Sequence, residues 1–130
     1  MEFENDYILR LIKTMVRALA SLIFGRQVRF HEIGQELKGN TSDSLYGRLI
    51  QLADQGYINE AENLLYEELE AGTANSTKTA LAFYDYLNNF SDTYLEEHGY
   101  SREEIIDGIR AVAERQGVVG LFDTLMEMGK

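Results

Sequence analysis

Not one proline interrupts this chain, and most of its eleven glycines fall between apolar segments of helical period. Proline breaks helices from within, and a glycine after an apolar run is a common helix stop. The pattern therefore predicts an all-α protein of antiparallel hairpins, with about six or seven helices arranged as a bundle or a short array. At 130 residues the chain suits a single domain spanning 1–130, long enough to bury about two-thirds of the surface its unfolded form exposes. With no cysteine, disulfides, thiolate metal sites and thiol nucleophiles are excluded.

The most apolar stretch is DYILRLIKTMVRALASLIFG, residues 6–25. Between Tyr7 and Phe24 its polar residues are Arg10, Lys13, Thr14, Arg17 and Ser21. At 100° per residue they share an arc of about 100°, which predicts one long helix over 6–24 with a narrow basic stripe of Arg10, Lys13 and Arg17. Asn5 or Asp6 is placed to cap it, and Gly25 to stop it. The acidic start and the three cations do not fit a secretory signal. The same cations would cost about 2.5–3.5 kcal/mol each at a bilayer centre, which disfavours a membrane span. A membrane-surface helix is the alternative such a basic face allows, but the breadth of the apolar arc favours burial against protein. Leu11, Met15, Leu19, Leu22 and Ile23 are the expected association face, packed through the middle of the bundle or across a dimer seam.

Further along, Val28, Phe30, Ile33 and Leu37 predict a helix over 28–38, and the Thr41-Ser42-Asp43 segment offers caps for the next one, which runs to Gly56. Asn59 to Glu62 has the form of a capping box opening a helix to Gly72. Residues 73–78, small or polar throughout, form a linker, and a long helix follows to His98-Gly99, kinked around Asn88–Ser91. Ser101 to Glu104 is a second capping box, and the last helix is expected at 118–128. LADQGYINEAENLL at 52–65 and LEEHGYSREEIIDGI at 95–109 echo each other at an offset of 43 residues: leucine, three residues, Gly-Tyr, then an acidic helix start. Two copies make an αα-hairpin used twice, short of the three that a solenoid generally needs.

The hairpin at 45–71 resembles part of a tetratricopeptide unit, since Gly56 and Ala61 match that family's Gly-x-x-x-x-Ala turn. Leu49 and Glu68 depart from the small residues the family places on its two helices, so a peptide groove is implied only by the turn. The N-terminus, with Asn5-Asp6-Tyr7-Ile8 leading a Met- and Leu-rich helix, resembles an uncharacterised family of small bacterial helical proteins. That resemblance implies a cytoplasmic bacterial protein and carries no activity.

The net charge of −10 is uneven: residues 1–30 hold five Lys or Arg against three acids, and the remainder is strongly acidic. Such a body repels phosphate backbones, making nucleic acid an unfavoured partner. His31 and His98 are the only histidines, and neither has carboxylates at ligand spacing on its helix face, so no metal is expected. No phosphate loop or nucleophile motif occurs, and paired acids such as Glu67-Glu68 and Glu103-Glu104 read as solvated faces. Eight tyrosines are expected at helix crossings with their hydroxyls reaching water or an acceptor, the alternative being that some line a groove for a partner helix or peptide. These readings add up to a non-enzymatic association protein without cofactor, partnered by itself or by another protein; the alternatives are a peripheral membrane-surface protein using the basic N-terminal helix and a small-ligand-binding or enzymatic helical domain.

Overall fold

The computed structural model describes residues 2–25, 44–73 and 75–128. Within them the chain is all-α: α1 (Glu2–Phe24), α2 (Leu45–Asp54), α3 (Ile58–Ala71), α4 (Ser76–Asn88), α5 (Asp92–Glu97), α6 (Arg102–Arg115) and α7 (Val119–Met128). The helix expected over 28–38, with His31, and the caps expected at 41–43 lie outside the described residues. None of the described helices is long and apolar enough to cross a membrane.

The middle of the molecule belongs to α4 rather than to α1. Four helices pack on α4, namely α1, α2, α3 and α6, and its buried residues, including Ala80, Leu81, Phe83, Tyr84 and Leu87, point to all sides. The reason lies in side-chain size and charge: α4 carries two alanines and few charges, so neighbours approach it closely, whereas the cations of α1 must keep one flank in water. Helix directions follow from cross-contacts. The Asn88 amide donates to the Leu9 carbonyl at 3.0 Å, while Lys78 near the other end of α4 lies 5.2 Å from the Phe24 ring, so α1 and α4 are antiparallel. Gln116 donates to Thr77 at 3.1 Å and Arg102 to Asn88, which makes α6 antiparallel to α4. Helix α7 returns along α6, tied by an Arg110–Asp123 ion pair at 2.9 Å, and also packs on α1. Thus α1, α4, α6 and α7 form a four-helix bundle, and the α2–α3 hairpin covers the remaining side of α4.

The glycine stops work as the sequence suggests. Gly56, Gly72, Gly99 and Gly117 all have positive φ, and the residue after each returns its N–H to a carbonyl five positions back, for example Tyr57 to Leu52 at 2.8 Å and Tyr100 to Leu95 at 2.9 Å. These are Schellman closures, available cheaply only where no Cβ crowds the left-handed backbone. The two Gly-Tyr echoes are packed against each other. The Asn59 amide donates to the Gly99 carbonyl at 3.3 Å, and a Cβ on Gly56 would come within 2.5 Å of the His98 ring.

Four local expectations change. Helix α1 already begins at Glu2, so Asn5 and Asp6 lie within its first turns and do not cap it. Asn59 does not cap α3: the Schellman closure ends at Tyr57, which is itself the N-cap without a side-chain bond, and Asn59 serves Gly99 instead. The long helix expected to His98 is two helices, α4 and α5, separated by Ser91, whose hydroxyl accepts the Tyr94 N–H at 3.1 Å. The linker is shorter than residues 73–78, because α4 already begins at Ser76. Ser101 caps α6 as read, its hydroxyl accepting the Glu104 N–H at 3.3 Å, while the Glu104 carboxylate accepts from that hydroxyl at 3.4 Å rather than from the Ser101 N–H of a full capping box.

Glycine also sets the closest helix approach. Gly108 on α6 faces the Tyr84 ring, and any Cβ there would overlap it, whereas Gly120 on α7 has open space around it. Gly108→Ala is expected to cost about 1–3 kcal/mol through overpacking. Gly120→Ala is expected to stabilise by about 0.5–1 kcal/mol through helix propensity alone. Urea denaturation of the two variants gives shifts of opposite sign if this contact governs the packing; shifts of the same sign contradict it.

Candidate functional site

The structure divides the expected association face of α1. Met15 and Leu19 are fully buried under helices of the same chain, together with Ile12, Val16 and Ala20. Leu11 and Ile23 are half-buried against that core, and Leu22 alone of the five is exposed, at 45 %. The basic stripe is where the periodicity puts it: Arg10 and Arg17 are exposed and Lys13 is half-exposed. Lys13 and Arg17 act on Asp85 of α4. Burial pushes the Asp85 carboxyl above the ordinary carboxylate value, and the two cations draw it back down.

Two carboxylates gather tyrosines. Glu62 on α3 accepts hydrogen bonds on one oxygen from Tyr84 at 2.7 Å, Tyr100 at 3.1 Å and Tyr66 at 3.3 Å. Tyr84 and Tyr100 are buried, and their hydroxyls come from α4 and from the α5–α6 turn, so one side chain ties three parts of the fold together. Burial first, then the Glu62 charge, holds both phenols far above their ordinary pKa. Donors of this kind to a charged acceptor are worth about 1.5–3 kcal/mol each. The sequence pattern assigned Glu62 to a capping box; its true role is visible only once α4 and Tyr100 are brought alongside.

The second carboxylate is Asp54 at the end of α2, which accepts from Tyr86 at 2.5 Å. Tyr94 donates to the last carbonyls of α2, Ala53 at 2.6 Å and Asp54 at 3.0 Å. Tyr86, Phe90, Tyr94 and His98 follow one another in a ladder with ring centroids 5.4, 4.4 and 4.4 Å apart. Their spacing of four in sequence survives the break between α4 and α5. Tyr46 packs in the same region, its phenol pushed up to about 12 by burial and then by Asp85 and Asp54. His98 thus covers Gly56 and ends an aromatic stack.

Two clefts bring polar side chains together. One, of about 230 Å³, is lined by Ile8, Leu95, Tyr100 and Ser101 with Asp92, Glu96, Arg102 and Glu103. The Arg102 in it is committed to four internal hydrogen bonds. The other, about 680 Å³ and open, lies between α6 and α7 beside Arg110, Asp123, Thr124, Met126, Glu127 and Met128. Neither brings a histidine to a carboxylate or a nucleophile to a base. No group of three or more potential metal ligands occurs among the described residues, and no buried side-chain polar atom there lacks a hydrogen-bond partner.

The outstanding surface feature is instead α7. Six of its ten residues are large and apolar: Val119, Leu121, Phe122, Leu125, Met126 and Met128. Only Phe122 is fully buried, while Leu121 is 46 % and Met128 77 % exposed. Because α7 runs antiparallel to α1, Leu121 stands at the end of the bundle where α1 finishes with Leu22. Sequence reasoning placed a helix here but overlooked its face; the signal was present as a helix with only two acids among ten residues.

With this geometry in place, the chain was compared with known proteins. A model of a family of unknown function (DUF6483) matches residues 2–117, and the chain belongs to that family, an uncharacterised one as its Asn5–Ile8 start suggested. The match runs from α1 through α6, and α7 follows it. No curated protein and no solved structure matches the chain.

Proposed function

We propose that this protein is a non-enzymatic association module that pairs with a second copy of itself through α7 and the adjoining end of α1. The observation that carries this reading is the partly uncovered apolar face of α7, with Leu121 and Met128 exposed. Contiguous apolar surface on a monomer is costly to leave in water and marks sites of association. A two-fold contact sets one patch against its own copy, which suits a face whose charges are few and in part internally neutralised, as Asp123 is by Arg110. The clefts supply no catalytic constellation to favour an enzymatic reading. Lipid insertion by α1 would require opening the bundle, because Ile12, Met15, Val16 and Leu19 are already covered.

Sedimentation equilibrium across the micromolar range tests the reading. At high salt the wild-type chain is expected to dimerise, and Leu22→Glu with Leu121→Glu, both at exposed positions, to give a monomer of unchanged helicity. A wild-type protein that stays monomeric, or a double variant that dimerises as well as wild type, overturns it.

A further inference from the structure

The outer strip of α1 has a spacing of its own. Tyr7, Arg10, Thr14, Arg17 and Ser21 are all exposed and follow one another at intervals of 3, 4, 3 and 4. This is the repeat that keeps side chains on one seam when a second helix lies alongside. On the other flank of α4, helix α3 exposes Glu60, Asn63, Glu67 and Glu70 at intervals of 3, 4 and 3. Glu70 is paired with Arg115, leaving Glu60 and Glu67 as the acids of that seam.

We propose that the α1 strip of one copy docks on the α3 strip of another, joining copies through a polar, oppositely charged helix pair. Arg10 and Arg17 stand seven residues apart, as do Glu60 and Glu67, so each pair spans about 10 Å along its helix. The two cations therefore meet the two acids in register whichever way the helices run, and in the antiparallel arrangement Thr14 also stands opposite Asn63. Pairing α1 with α1 is disfavoured, since an antiparallel seam centred between Lys13 and Thr14 would set Arg10 against Arg17. Asp85 draws part of the field of Arg17 inward, which leaves Arg10 the stronger of the two contacts.

Because the strip and its acceptor lie on different flanks of α4, one copy presents them to different neighbours, so the contact is head-to-tail and adds copies beyond a dimer. It is independent of the apolar α7 contact and differs from it in salt dependence, since exposed ion pairs are screened within about 10 Å at 0.1 M salt.

Sedimentation velocity at low and at high salt provides the test. The mass at low salt is expected to exceed that at high salt. R10E/R17E is expected to abolish the excess, and the quadruple variant R10E/R17E/E60K/E67K, which keeps the wild-type net charge of −10, to restore it. R10E with E67K or with E60K leaves Arg17 beside Asp85 undisturbed, and whichever of the two restores the excess reports the helix direction. A mass independent of salt, or an excess that no charge reversal restores, overturns the contact while leaving the α7 dimer standing. Loss of the high-salt dimer in Leu22→Glu/Leu121→Glu with the low-salt excess retained separates the two interfaces.

Discussion

Arg102→Met is expected to lower the free energy of unfolding by about 3–5 kcal/mol, the cost of breaking a buried charged network from one side. Arg102 is 9 % exposed and holds the break between α4 and α5 together. Its guanidinium donates to Asp92 at 2.9 Å, to the Asn88 carbonyl at 2.8 Å and side chain at 3.0 Å, and to the Phe90 carbonyl at 2.7 Å. Two of those acceptors are carbonyls at a helix end, which otherwise have no partner. Asn88, itself fully buried, passes the constraint on to α1 through Leu9. Methionine fills comparable space but donates nothing, so the buried Asn88 oxygens lose their donor while the half-exposed Asp92 can turn to water. Arg102→Lys keeps the charge but loses the planar fork, and about half of the loss should remain. Urea denaturation followed by far-ultraviolet circular dichroism checks both; a loss below about 1 kcal/mol for methionine, the size of an exposed ion pair, refutes the role.

Alkaline pH is expected to unfold the protein cooperatively between about pH 10 and 12. The folded state holds the Tyr84 and Tyr100 phenols well above their ordinary value of 10.0, through burial and then the charge of Glu62. The unfolded chain releases those protons first. The stability they contribute is therefore complete below pH 10 and is lost as pH rises above it. Each such tyrosine contributes a slope of about 1.4 kcal/mol per pH unit, so two of them remove on the order of 5 kcal/mol over two units. Tyr46, held at about 12, adds to the loss over the same range. A typical domain has about 5–15 kcal/mol in total. Tyrosinate absorbance and helicity should change together in one transition, and Tyr84→Phe with Tyr100→Phe should flatten the pH dependence. Ionisation of all eight tyrosines near pH 10 with helicity retained rules this out.

Local signals were the legible part of this fold. The body and Gly25 stop of α1, though not its start at Glu2, its basic stripe, the Gly-Tyr turns and the Ser101 cap all depend on residues a few positions apart, where backbone sterics and helical period decide. The misread parts are those in which a distant residue competes for a local group. Asn59 has the right type to cap α3, but the Gly99 carbonyl, forty residues away in sequence, takes its amide. Glu62 completes a capping-box pattern, yet three tyrosine hydroxyls claim its oxygen. Residues 80–98 read as one helix until Arg102 supplies the donors that make a break at Asn88–Ser91 affordable.

The candidate site divides in the same way. Periodicity alone put Arg10 and Arg17 on the solvent side of α1 and Met15 and Leu19 on its apolar side. It could not tell whether that apolar side was covered by the same chain, by a second copy or by lipid. By itself, then, the sequence determined an all-α chain, its helix stops, the amphipathicity of α1 and membership of an uncharacterised family. Only the tertiary structure decided that α4 is central among the described helices, that most of the apolar side of α1 is covered from within, and that α7 leaves Leu121 and Met128 uncovered. The physical reason is that helical period and glycine stops act within a few residues. Burial, by contrast, depends on which surfaces remain after every helix has chosen its neighbours.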